Sequence, residues 1–125
     1  LKIIGTKYLE RRKKMAGMSP TQLSLKKLKS EGYETVQVVE VWIPAFGRGF
    51  GNRRDLFGCW DILAVKDGQT VAVQVTSKSN MSARIKKIAD NDHVKNLREA
   101  NWTLLVHGWF KNKSNRWEVK EEDVS

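Results

Sequence analysis

The run Asp55 to Thr76, DLFGCWDILAVKDGQTVAVQVT, sets two β-rich stretches on either side of Asp67-Gly68. That dipeptide tolerates the positive φ angles of a two-residue hairpin turn, so the spacing predicts a β-hairpin. Counting outward from the turn pairs Lys66 with Gln69, Val65 with Thr70, Leu63 with Ala72 and Asp61 with Gln74. Opposed residues share a face and a strand repeats its face every second residue, which places Asp61, Gln74 and Thr76 on one side of the sheet. Ile62, Ala64, Val71, Val73 and Val75 fall on the other side, ready to pack on a helix. A carboxylate facing an amide oxygen on adjacent strands can hold a hard cation; the alternative is a half-buried polar pair at a sheet edge.

The chain has 125 residues, 40% of them hydrophobic, including five Trp, which is enough for one modest core. Lys and Arg number 23 against 14 Asp and Glu, a net charge of +9 that points to a polyanionic partner, nucleic acid before anionic membrane. No apolar run approaches the roughly 18 to 20 residues of a spanning helix, and no signal-peptide pattern opens the sequence, so the expectation is a soluble, intracellular protein. Cys59 is the only cysteine. That excludes an internal disulfide and a cysteine-based zinc site, and leaves Cys59 as a small buried side chain.

Residues 1–18 carry six Lys and Arg against Glu10 and read as a basic arm able to touch phosphate. The remainder, 19–125, reads as one domain. Ser19-Pro20-Thr21-Gln22 has capping-box spacing, opening an amphipathic helix that Gly32 ends. Tyr33 to Ile43 is dense in β-branched and aromatic residues and predicts one long strand stopped by Pro44. Its lone acid, Glu40, implies either an exposed edge or a partner.

The segment AFGRGFGNRRD, residues 45–55, combines three glycines with Arg48, Arg53, Arg54 and two Phe. It lacks Walker spacing and reads as a substrate-contacting loop leading into the Asp61 region. After the hairpin, Ser82 is a candidate cap for a second helix, with Ile85, Ile88 and Ala89 apolar and Arg84 and Lys87 on another face. Val94 and Leu97 continue as a further turn or two. Trp102 to Phe110 and Arg116 to Val119 read as strands, the acidic tail as solvated, and His107 as structural.

The resulting order is helix, strand, hairpin, helix, strand, which is an α/β architecture around a mixed sheet flanked by helices. At this point the chain resembles the PD-(D/E)xK nuclease superfamily, with its αβββαβ restriction-endonuclease-like core. Asp61 matches the metal-binding Asp of the second strand, and Gln74-Val75-Thr76 falls where the third strand carries (D/E)xK. More specifically, Ser19 to Trp117 looks like small phage-type, Holliday-junction-resolvase-like proteins, through SPTQ, GY, VExW, RRDLFGxxD, QxTSxSNxSxRxxK and HGW.

The resemblance implies a metal-dependent DNA endonuclease using Mg2+ or Mn2+. Its metal would be held by Asp61, Gln74 and the Val75 carbonyl, with Asp55 and Glu40 available to complete the shell. Thr76 stands where the motif has lysine, so Lys87 or Lys78 is the candidate replacement. Arg48, Arg53, Arg54, Arg84 and Lys86 are the candidate DNA contacts. The implied partner is DNA rather than a membrane, in a phage or bacterial cytoplasm, with homodimer formation left open. A binding module on a nuclease scaffold, its catalysis weakened by the Gln and Thr replacements, is the alternative.

Overall fold

Helix α1 (Pro20–Ser30) begins where the sequence supplies both a fixed φ and a cap. Pro20 is its first residue, and the Ser19 hydroxyl accepts the Gln22 N–H at 3.3 Å. It ends where Gly32 takes a φ of +97°, letting the Tyr33 N–H reach back to the Leu28 carbonyl. The computed structural model describes residues 17–44 and 51–125. Within them α1 is followed by β1 (Thr35–Val38), β2 (Val41–Ile43), β3 (Asn52–Arg54), β4 (Ile62–Lys66) and β5 (Gln69–Ser77). Helices α2 (Met81–Ala89) and α3 (Val94–Glu99) then lead to β6 (Thr103–Lys111) and β7 (Trp117–Asp123). Residues 1–16 of the 1–18 arm and the segment 45–50, with Arg48, lie outside the described residues.

The architecture is mixed α/β. Five strands form one sheet in the order β1-β4-β5-β6-β7, and β2 pairs with β3 in a separate ribbon. The β4–β5 hairpin is central, and both Asp67 and Gly68 have positive φ, +52° and +75°, as a mirror-image turn requires. Its rungs from Lys66↔Gln69 to Ile62↔Val73 keep the counted register. On one face Ile62, Ala64, Val71 and Val73 pack with Leu28 of α1. On the other, Ala72, Leu104 and Val106 pack with Met81, Ile88, Val94 and Leu97 of α2 and α3. Strand β6 runs parallel to β5, the pair being joined by the α2–α3 crossover. No helix among the described residues is long and apolar enough to cross a membrane.

Gly108 is where that crossover approaches the sheet. A Cβ there would overlap the Met81 side chain and come to 3.0 Å of the Lys78 Cα. Gly108→Ala is therefore expected to destabilise the fold by about 1–3 kcal/mol, read as a lower urea midpoint at unchanged slope.

Several local expectations are corrected. The single strand over Tyr33–Ile43 is two, because the Val39 N–H bonds the Asp61 carbonyl at 2.8 Å and the chain then leaves the main sheet. Part of the presumed 45–55 loop is β3, paired antiparallel with β2 through Val41↔Arg54, Trp42↔Arg53 and Ile43↔Asn52. Helix α2 starts at Met81 with Asn80 at its cap position, after a 3-10 turn over Lys78–Asn80, so Ser82 lies inside the helix. The last strand, expected over Arg116 to Val119, runs on as the edge strand β7 to Asp123, and its acids are exposed as expected.

There Glu121 meets His107, which is fully buried in a chain of hydrogen bonds. Trp109 Nε1 donates to Ser24 Oγ at 2.7 Å, which leaves the Ser24 hydroxyl to donate to His107 Nδ1 at 2.9 Å. His107 Nε2–H then donates to Glu121 at 2.8 Å. This ties α1 to β6 and β7, in the structural role expected of His107.

Candidate metal centre

Two irregularities beside the hairpin gather the acids. Leu56 and Trp60 bridge across a tight turn in which Phe57 and Gly58 take φ of +53° and +76°. Asp55 and Asp61 flank that bridge, so a six-residue separation in sequence becomes a juxtaposition in space. Asn91 steadies the turn by donating to the Phe57 carbonyl at 2.9 Å. The break between β1 and β2 delivers Glu40 from the other side. Ligand oxygens of Glu40, Asp55 and Asp61 lie within 4.8 Å of one another.

Asp61 and Gln74 meet, but not as the opposed ladder pair with two facing oxygens that counting predicts; the carboxylate contacts the amide nitrogen. The ladder's last rung is Ile62↔Val73, and the Asp61 N–H bonds the Val73 carbonyl at 2.9 Å, one residue out of step. The Asp61 carboxylate takes over from there. Its Oδ2 accepts the Val75 N–H at 2.7 Å and Gln74 Nε2 at 2.8 Å. Gln74 Nε2 also reaches the Val75 carbonyl at 3.3 Å, while Gln74 Oε1, in a side chain 2% exposed, has no hydrogen-bond partner among the described residues. A buried acceptor without a donor costs free energy, and a cation would satisfy it.

These donors fit a hard divalent ion. The acid oxygens, within 4.8 Å of one another, would have to draw closer to share one such ion. Carboxylates and an amide oxygen are the donor type Mg2+ and Mn2+ prefer.

Burial and the neighbouring acids leave a mark on Asp61. Its pKa is raised to about 8, first because burial penalises the charged form, with Asp55 and Glu40 adding repulsion against the lowering effect of the Val75 N–H. The folded value lies above the unfolded one, so this group's contribution to stability is full below pH 4 and is lost as pH rises through 8. With divalent ions chelated, the parent should lose stability relative to Asp61→Asn between pH 5 and pH 8. Denaturant titration at the two pH values checks it, and parallel curves would remove Asp61 as the source.

A pocket of about 250 Å³ opens over this centre, lined by Thr21, Arg53, Asp55, Asp61, Gln74, Val75, Arg84 and Lys87. Arg84 and Lys87, one helical turn apart, both face it, and Arg53 Nη1 stands 3.8 Å from Glu40. The remaining sequence candidates are elsewhere. Lys78 lays its Nζ over the Phe110 ring at 4.3 Å, and Arg54 projects from the ribbon face opposite to Arg53. Lys86 is exposed and outside the pocket lining. Thr21, on the first turn of α1, lines the pocket and was not singled out by sequence, because nothing local distinguishes it from a helix-start threonine.

Compared with known proteins, the chain matches no family model, no curated protein and no solved structure.

Proposed function

We propose that this chain is a Mg2+- or Mn2+-dependent DNA endonuclease built on a restriction-endonuclease-like core. The observation that carries the reading is the convergence of Glu40, Asp55 and Asp61 within 4.8 Å, beside an unsatisfied Gln74 oxygen and under Arg53, Arg84 and Lys87. Acids that gather a cation, ringed by cations that neutralise phosphate, are the two halves of a phosphodiester-cleaving site. The sheet order supports the same reading: β1, β4 and β5 run as an antiparallel meander, and β6 returns parallel to β5 after the helices. The sequence of elements is then αβββαβ, with the ribbon inserted between its first two strands and β7 added at the edge.

Each residue has a distinct part. Asp61, Asp55, Glu40 and Gln74 Oε1 would hold the ion, with the Val75 carbonyl adjacent. When bound, the metal supplies Lewis acidity toward a phosphate oxygen and a lowered pKa for its water. Arg84 and Arg53, which both line the pocket, would orient the phosphate, while Lys87 would supply the positive charge that Thr76 cannot. The alternative, a binding module with little chemistry, is favoured by one observation. The Gln74 amide nitrogen occupies the Asp61 oxygen that a motif acid would leave to the metal.

Metal removal separates the two. Incubation with branched, single-stranded and duplex DNA should give cleavage with Mg2+ or Mn2+ and none with EDTA. Binding that persists in EDTA with no cleavage under either metal would select the module.

A further inference from the structure

The ribbon of β2 and β3 places an unusual side chain beside the proposed centre. Trp42 is 61% exposed, the largest exposure among the large hydrophobic residues described. It stands directly opposite Arg53, and directly opposed residues share a face. Glu40, two residues earlier, contacts Arg53 as well, so Glu40, Arg53 and Trp42 follow one another along the same side of the ribbon. Two residues of extended chain span about 6.7 Å, close to two stacked base steps.

The indole also rests against the paired strand's approach. A Cβ on Gly51 would come to 2.5 Å of the Ile43 carbonyl and 2.9 Å of the Trp42 ring, so the ring lies against bare Gly51 backbone with much of its surface left to solvent.

We propose that Trp42 is a stacking platform for an unpaired nucleobase next to the scissile phosphate, making the preferred substrate DNA with single-stranded or unstacked nucleotides at the cut. The inference rests on the nuclease reading and names its substrate class. An exposed indole stacks on any base face, but a base inside an intact duplex offers none until it is unstacked. The neighbouring charge fits the same occupant. Arg53, opposite Trp42 on the paired strand, can meet the phosphate beside such a base, and a chain of net charge +9 attracts a polyanion more readily than a second copy of itself.

The test compares parent, Trp42→Ala and Trp42→Phe by fluorescence anisotropy in EDTA, with a labelled single strand and the matching duplex. Trp42→Ala should lose roughly 10-fold or more in affinity for the single strand and stay within about twofold on the duplex, with Trp42→Phe retaining most of the binding. Equal losses on both DNAs, or no loss on either, would overturn the platform. Light scattering on the same samples tests the competing occupant. A parent dimer that becomes monomeric in Trp42→Ala, at unchanged DNA affinity, would assign the indole to a second copy and overturn it too. A parent that cuts DNA but shows no Trp42 effect sinks only this inference, whereas a parent that neither binds nor cuts DNA sinks the nuclease reading with it.

Discussion

Asp61→Asn is expected to cut DNA at background while folding at least as well as the parent. Asn keeps the shape of the side chain, and its amide oxygen can still accept the Val75 N–H that Asp61 Oδ2 holds at 2.7 Å. It removes the charge that burial, Asp55 and Glu40 all oppose, and whose pKa stands near 8 as a result. The metal-free variant should therefore gain stability at pH 8, because a costly buried charge has gone. Under the nuclease reading activity should move the opposite way, since the proposed metal ligands would lose a carboxylate and a neutral ligand holds Mg2+ more weakly. Asp61→Ala is the less informative change. It leaves the Val75 N–H without its acceptor, at about 1–3 kcal/mol, and Gln74 Nε2 with only its longer bond to the Val75 carbonyl, so inactivity would not separate lost chemistry from misfolding. A purified Asp61→Asn protein that cleaves at the parent rate would remove Asp61 from the chemistry.

The site was legible in the sequence where short-range rules govern it. Asp67-Gly68 fixes a turn type and the turn fixes a register that holds as far as Ile62↔Val73, which brings Asp61 near enough to Gln74 for their side chains to bond. The pairing of Arg84 with Lys87 follows from helical spacing in the same way. What the sequence did not disclose depends on breaks in regularity. Tyr33 to Ile43 has uniform β propensity, and nothing in it marks Val39 as the point where the chain exchanges one sheet for another. That exchange is set by a backbone bond to Asp61, 22 positions further on. Because Glu40 sits at the break, its partnership with Asp55 and Asp61 could only be offered as one of two outcomes. The Phe57-Gly58 turn that aligns Asp55 with Asp61 was likewise hidden, since Phe is a poor signal for positive φ.

Lys87→Ala is expected to lower turnover by at least ~10²-fold with little change in DNA affinity, if Lys87 supplies the cation that Thr76 lacks. The position supports that role. Lys87 lines the pocket with Asp61 and Gln74. Thr76, in the motif position, is buried and carries no charge. Lys78→Ala is the matched control, because its ammonium rests on the Phe110 ring and away from the pocket, so its removal should leave turnover near the parent value. A transition-state contact shows as a fall in kcat at unchanged KM, whereas a lysine that only attracts DNA shows in KM and in the salt dependence of binding. Lys87→Arg sharpens the distinction. It keeps the charge but replaces a compact ammonium by a planar fork, so phosphate attraction should survive while a precisely placed point charge is lost. If Lys78→Ala is the slow variant, the missing motif cation belongs to the 3-10 turn, and the Phe110 contact must open during the reaction. If neither substitution slows cleavage, the pocket does not use a lysine to stabilise charge on the phosphate, and the weakly catalytic binding module becomes the better account.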